Sequence, residues 1–224
     1  FYIFSSKSLS TDETLSCLRW LGSNRTSQNS IVITANTRKA ISLGFPENCI
    51  VPFPETVGGR YSIWSPISLS VGIENNFSAF LKGGSLADKM MLGKSKIDKK
   101  YQKLIKILSF SDLWFSNFKN KKNRVVLSYN WRLRSFVNYI QQLEMESLGK
   151  KADPSSPFKE TGQSIFGGFG STAQHSYFQL LHQGTAEFCV DIVFSSKTNS
   201  PLLAAQAKGQ AFLLSSNLNS SGNI

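Results

Sequence analysis

The chain has 224 residues, 41% of them hydrophobic and 17% charged, with a formal net charge of +11. That apolar content is enough for a packed core, and the charge density is too low for a disordered chain. No run approaches the roughly 18 consecutive apolar residues of a membrane span, and the three cysteines (Cys17, Cys49, Cys189) form no CxxC pair. Their odd number and wide spacing argue against a disulfide framework or a zinc site and fit a reducing cytoplasm.

The chain opens on FYIF, without a Met and within what reads as a strand, as expected of a piece of a longer protein. SSKSLSTDET follows. Ser10 with Glu13 three residues on is a capping-box pattern, which predicts a helix through about Leu21. SIVITA at 30–35 predicts a second strand, and residues 45–54 read as loop. GGRYSIWSPISLSVGI begins with a glycine pair, Gly58-Gly59, and continues into what reads as a mostly apolar helix.

Residues 94–124 hold nine lysines and Arg124 against only Asp98 and Asp112, so this stretch carries most of the positive excess. Ile97, Tyr101, Leu104, Ile105 and Leu108 recur within it at helical spacing, which places the lysines on the opposite, solvated face. No nucleic-acid motif accompanies the charge, so no nucleic-acid partner is expected. RVVLSY at 124–129 predicts a strand. Leu133, Phe136, Val137 and Ile140 then predict a helix that ends in QQLEMESLGK, and 151–163 is a Pro/Ser/Gly-rich loop. SIFGGFG predicts a strand entering a glycine turn, Gln174 to His182 a helix, CVDIVF at 189–194 a strand and Leu202 to Leu214 a helix. The polar end, SSNLNSSGNI, reads as frayed. Strands alternating with helices predict an α/β fold with mainly parallel sheet.

Several stretches could carry chemistry. The first strand leads through Ser5, Ser6, Lys7, Ser8, Ser10 and Thr11 into a helix start, where hydroxyls, an ammonium and free N–H groups suit a phosphate. The rival reading is a serine-rich cap without a ligand. Gly58 and Gly59 let the backbone approach a ligand, and Arg60 beside them could hold an oxyanion; an exposed arginine at a helix start is the alternative. His175 and His182 are the only histidines, and no acid stands at a spacing that would complete a metal site. His175, beside glycine-rich backbone, is the better placed for acid–base work, against a purely structural role. Glu144 and Glu146 lie about 200° apart on a helix, so they do not share a site. Spacing does not choose between either of them as a base and both as solvated charges.

Taken in order, SKSLSTDET (6–14), VGGRYS (57–62), QQLEMESLGK (141–150) and GSTAQHSYFQLLHQGT (170–185) resemble the motifs of the phosphoglucose isomerase family over nearly the whole chain. The resemblance implies two partial sugar-isomerase (SIS) domains with flavodoxin-like parallel sheets flanked by helices. Residues 1–85 would be the second half of the first domain, 86–122 basic connecting helices and 123–224 the first half of the second domain. It implies an aldose–ketose isomerase of glycolysis and gluconeogenesis acting on glucose 6-phosphate and fructose 6-phosphate, cytoplasmic, without metal or cofactor. Ser6, Lys7, Ser8 and Thr11 would hold the phosphate, with Ser8 in place of the usual Thr. Gly59 would line the reacting end of the sugar, Arg60 would stabilise the enediolate, and Gln142 would touch substrate. Glu146 would move the proton between C1 and C2, leaving Glu144 as a helix-end charge. His175 would open the sugar ring from across a homodimer interface. The family's early glycine/serine loop and its C-terminal catalytic Lys would fall outside residues 1–224, so the piece alone is expected to be inactive. The sequence departs from the pattern at Leu148, usually Asn, and at Gly167-Gly168-Phe169-Gly170, usually Gly-Glu-Pro-Gly; Ser171-Thr172-Ala173 also differs. The alternative function is a non-catalytic sugar-phosphate-binding SIS module.

Overall fold

The computed structural model describes residues 1–22, 28–74, 77–195 and 200–217. The chain forms two compact units, Phe1–Lys103 and Leu104–Ile224. The division falls within the basic stretch.

In the first unit, strands β1 (Tyr2–Ser5), β2 (Ser30–Thr34) and β3 (Ile50–Pro52) form a parallel sheet in the order β1-β2-β3. Helices α1 (Asp12–Leu21) and α2 (Thr37–Ser42) return the chain between strands. Phe4 and Val32 stand side by side in the register and face Leu18, Ala40 and Phe45, with Leu15, Leu21 and Leu43 completing the cluster. The period-2 alternation of the strands and the helical spacing 15–18–21 of α1 therefore meet on one side of the sheet. Asn36 caps α2 by accepting a hydrogen bond from the Lys39 amide at 3.0 Å.

In this unit the structure corrects three expectations. The capping box at Ser10 does not form: Thr11 is the N-cap of α1, makes no side-chain bond to the helix backbone, and pairs instead with the Thr14 hydroxyl at 2.7 Å. The stretch expected to be loop at 45–54 contains β3, preceded by a 3-10 turn at Glu47–Cys49. The apolar helix after VGGRYS is broken into 3-10 turns at Gly59–Trp64 and Pro66–Ser68 before α3 (Leu69–Glu74), because Pro66 has no N–H to continue a helix.

Helices α4 (Phe77–Leu92) and α5 (Lys96–Leu113) follow. Trp64 stacks on Phe80 of α4 with ring centroids 4.4 Å apart. Gln102 ties the turn between the helices together by donating to the carbonyls of Met90 and Gly93. The apolar stripe of α5 is not covered as its spacing suggests: Ile97 is 69% exposed, Leu104 51% and Leu108 52%. No helix among the described residues is long and apolar enough to cross a membrane.

In the second unit β4 (Asn123–Ser128) is the central strand of a parallel sheet in the order β5-β4-β6. Between β4 and β5 run a 3-10 turn, α6 (Phe136–Ile140), a π-helical turn at Gln141–Met145 and α7 (Glu146–Leu148). Strand β5 (Ser164–Phe169) leads into α8 (Gly170–Ala173) and α9 (Phe178–Gln183), and β6 (Phe188–Val193) precedes α10 (Pro201–Asn217). Alternation along β4 separates two cores. Val126 with Ile165 packs against Val137 and Ile140 of α6, while Val125, Leu127 and Tyr129 pack against Ala173, Phe178 and Ala207. A sheet with helices on both faces results, which accounts for the continuous apolar run of β4. The expected single helix from Gln174 to His182 is instead α9 alone, with residues 174–177 in a turn before it. The two histidines therefore do not share a helical face. The polar end read as frayed lies, from residue 218 on, outside the described residues.

Candidate functional site

The hydroxyl-rich loop after β1 is held from below. Leu9 is fully buried in the core of the first unit, although its φ of 50° is unfavourable for a residue with a Cβ. Burial of the leucine side chain fixes that conformation and turns the flanking residues outward. The loop is stitched to β2 as well. The Ser6 amide donates to the Ile33 carbonyl at 3.0 Å, and the Lys7 carbonyl accepts from Thr34 Oγ1 at 2.9 Å and from the Ala35 amide at 3.1 Å. Ser6 Oγ accepts from the Leu9 amide, and the Ser8 and Ser10 hydroxyls lie 2.6 Å apart. Ser6, Lys7, Ser8 and Thr11 thus come together on one anchored loop at the start of a ten-residue helix. Asp12 and Glu13 occupy the first turn of α1 and already complement its dipole. A phosphate here would be held by hydroxyls, loop N–H groups and Lys7 more than by the helix field.

Gly59 and Arg60 begin the 3-10 turn of the same unit. The turn is closed by Ser62 Oγ donating to the Gly59 carbonyl at 2.6 Å. Space beside the Gly59 Cα is open, with nothing within 4 Å of where a Cβ would stand. Arg60 is half-buried, its guanidinium 5.3 Å from the centre of the Tyr61 ring.

In the second unit, Gln142 and Glu146 are both exposed on the helical segment that follows β4. The opposite side of that segment is fastened to the sheet. Val137 and Ile140 are buried, and Gln141 Nε2 donates to the Ile165 carbonyl of β5 at 2.7 Å. Glu144 is not the solvated helix-end charge expected. Its two carboxylate oxygens accept from Arg124 Nη1 at 3.1 and 2.8 Å, and its side chain is 30% exposed.

Arg124 is the hub of this arrangement. It stands near the start of β4, 11% exposed at the side chain, and also pairs with Asp191 of β6 at 2.5 Å and Asp112 of α5 at 3.3 Å. Burial works against its charge, but Asp191, then Glu144 and Asp112, more than offset that and hold it firmly protonated. Burial pushes Glu144 and Asp112 above the usual carboxylate range even though Arg124 pulls both down. Three carboxylates around one guanidinium is a combination the sequence reading missed. The available signal was that Glu144 falls at the apolar spacing of Val137 and Ile140, i+7 and i+4, so it had to face the sheet. A cavity of about 590 Å³ opens beside the cluster, lined by Asp112, Glu144, Ser147 and Gln163 among others; Gln142, Glu146 and His175 do not line it.

His175 is exposed in the turn between α8 and α9. The turn is pinned on both sides of it. Gln174 Nε2 donates to Tyr129 Oη at 3.0 Å, and Tyr177 packs edge-on against Phe166, centroids 5.3 Å apart. Burial pushes both phenols up, and Tyr177 Oη has no hydrogen-bond partner among the described residues. His182, half-buried on α9, lies 3.3 Å from Gln210 Oε1 of α10, which suits a packing role. Six of the nine predicted site residues therefore lie in the first unit, and Gln142, Glu146 and His175 in the second.

Comparison with known proteins gives these residues a context. A family model described as "Phosphoglucose isomerase" matches residues 1–222. The chain is 37% identical over 216 residues to the glucose-6-phosphate isomerase of Shewanella oneidensis, covering 90% of this chain. It is 37% identical over 202 residues to that of Novosphingobium aromaticivorans, covering 84%. In both cases it spans 39% of the relative's length. Among solved structures, a glucose-6-phosphate isomerase from Chlamydia trachomatis superimposes with a TM-score of 0.75 at 21% identity, over 95% of this chain and 44% of the other. A hypothetical protein from Thermus thermophilus gives a TM-score of 0.73 at 22% identity, over 96% and 57%. These two structures establish the likeness of fold.

Proposed function

The chain belongs to the phosphoglucose isomerase family, and from that membership we propose that it carries part of the active site of an enzyme interconverting glucose 6-phosphate and fructose 6-phosphate. Turnover is assigned to a chain of full family length, because residues 1–224 span 39% of the curated relatives; alone they are expected to be inactive. The observation that carries the reading is the division of labour between two carboxylates. Glu144 is bound to Arg124, whereas Glu146, two residues on, is exposed on the other side of the same segment.

In this reading Glu146 removes the proton from C2 of the open-chain aldose. The electron pair left on carbon forms the enediolate as the C1 carbonyl oxygen takes up the negative charge; a proton then passes from O2 to O1, and Glu146 returns its proton to C1 as the C2 carbonyl forms, giving the ketose. Arg60 supplies positive charge where the oxyanion develops, and the open backbone at Gly59 admits the sugar. Ser6, Lys7, Ser8 and Thr11 hold the phosphate, and Gln142 contacts the sugar near the base. His175, exposed in its pinned turn, opens the ring by proton transfer and serves the site of a second copy in a homodimer.

The test is Glu146→Gln in the full-length chain. Turnover should fall by roughly 10²–10⁴-fold, the range for loss of a positioned acid–base group, with sugar-phosphate binding retained. Uptake of solvent deuterium at C2 of glucose 6-phosphate should stop with it. Near-normal turnover in this variant would remove Glu146 as the base.

A further inference from the structure

We infer that Arg124 is a positioning residue for the proposed reaction: through Glu144 it fixes the register of the helical segment that presents Glu146. This rests on the reading of Glu146 as the base. The segment from Phe136 to Leu148 is short and irregular. Its middle is a π-helical turn, Gln141–Met145, directly before Glu146. Such wide turns are uncommon, arise as local bulges in α-helices and need outside support. Here both ends of the bulge are tied to the sheet: Gln141 to the Ile165 carbonyl, and Glu144, by both carboxylate oxygens, to Arg124. The apolar contacts of Val137 and Ile140 hold only the part that precedes the bulge.

The tie at Glu144 is therefore the last one before the base. Without it the bulge is free to close into an ordinary α-turn. A one-residue change of register rotates everything beyond it by about 100° and shifts it about 1.5 Å along the axis. A 1 Å misplacement of a reacting group costs on the order of 10²-fold in rate. Loss of Arg124 acts in the same direction twice. It removes the bidentate contact, and it leaves Glu144 facing Asp112 and Asp191, two carboxylates without their shared counter-charge.

The test uses the full-length chain and compares Arg124→Met, Arg124→Lys, Glu144→Gln and Glu146→Gln. Arg124→Met should lower kcat by about 10- to 100-fold while KM for glucose 6-phosphate stays within about twofold. Arg124→Lys, which keeps charge but not the fork, should fall between it and the parent. Glu144→Gln retains shape and supplies a second reading should Arg124→Met not fold: amide exchange over residues 141–147 should quicken about tenfold or more, together with a lower kcat. A drop in melting temperature with kcat per folded molecule unchanged in these variants would make Arg124 merely structural and overturn the inference. Unaltered exchange over 141–147 in Glu144→Gln would overturn it too. If Glu146→Gln is inactive while Arg124→Met turns over normally, the positioning role fails and the base survives. If Glu146→Gln turns over normally, it is the base that fails.

Discussion

Gly167 and Gly168 make a matched pair for testing how β5 is seated. Both sit in β5 with nearly the same backbone, φ 151° and 156°, which side chains rarely adopt. They differ in what surrounds them. A Cβ on Gly167 would lie 2.0 Å from the Val126 carbonyl oxygen and 2.9 Å from its nitrogen, whereas one on Gly168 would first meet Tyr177 Oη at 3.9 Å. Alanine at Gly168 should therefore cost only backbone strain, about 1–2 kcal/mol. Alanine at Gly167 adds to the same strain a displacement of β5 from β4 of about 1 Å, since a Cβ essentially never comes closer than about 3.0 Å to a backbone atom. That shift disrupts about two ladder hydrogen bonds, each worth about 1 kcal/mol net and more if a buried group is left unpaired. The total for Gly167→Ala is about 3–4 kcal/mol or more, about 2 or more above Gly168→Ala. Urea unfolding would measure it, followed by tryptophan fluorescence with Trp20, Trp64 and Trp114 replaced by Phe in every variant, which leaves Trp131, packed edge-on against Phe169 at the end of β5, as the reporter. Equal costs for the two substitutions, or a greater cost at Gly168, would refute the reasoning.

Leu9→Ala should destabilise the first unit by about 2–4 kcal/mol, because it empties a fully buried position that also holds the hydroxyl loop; a cost below about 1 kcal/mol in chemical denaturation would contradict that anchoring. The acid limb of stability should show the sign of half-buried carboxylates. Because the folded-state values of Asp112 and Glu144 are raised above 3.8 and 4.5, their contribution is present below those values and is lost as pH rises through the folded ones. Replacing Asp112 by Asn should flatten this fall in urea midpoints measured from about pH 4 upward; a steeper fall would reverse the assignment. Among the thiols, Cys17 is exposed, Cys49 is buried, and burial pushes the half-buried Cys189 thiol up. Maleimide labelling of the native chain, read by peptide mass, should modify Cys17 first; early labelling of Cys189 would contradict its placement.

The strands of the second unit were legible because β4 carries the apolar run Val125-Val126-Leu127 and β6 is apolar except for Asp191, so each stands out from the polar segments around it. Strand β3 was hidden by Pro46, Pro52 and Pro54, which signal a turn locally; Pro52 is the last residue of the short strand and the other two flank it, and its three residues complete a parallel sheet. The helix across His175 misled for the converse reason. The spacing of residues 174–182 is helical, but the close approach of Gly170 to Tyr129 and the bond from Gln174 to the same ring impose a turn. The candidate loop, Gly59, Arg60 and Glu146 are proposed from ordered motifs. The Arg124 cluster was not, because its members are brought together only by strand pairing and by a bulge, neither of which has a local pattern.

The position of β4 at the centre of its sheet bears on how the protein is made. Val126 pairs with Gly167 and Asp191, 41 and 65 positions later in the chain. At ribosomal speeds of about 5–20 residues per second, an apolar strand therefore waits roughly 2–8 s for its first neighbour and roughly 3–13 s for its second. During that interval Val125-Val126-Leu127 is a β-prone segment with both edges open. Lys119, Lys121, Lys122 and Arg124 immediately precede it. In the finished fold Lys121 pairs with Glu187, Lys122 with Glu160 and Arg124 with the carboxylate cluster. On the nascent chain, before those partners have been synthesised or brought into place, the same charges act as gatekeepers that keep one β4 from templating on another.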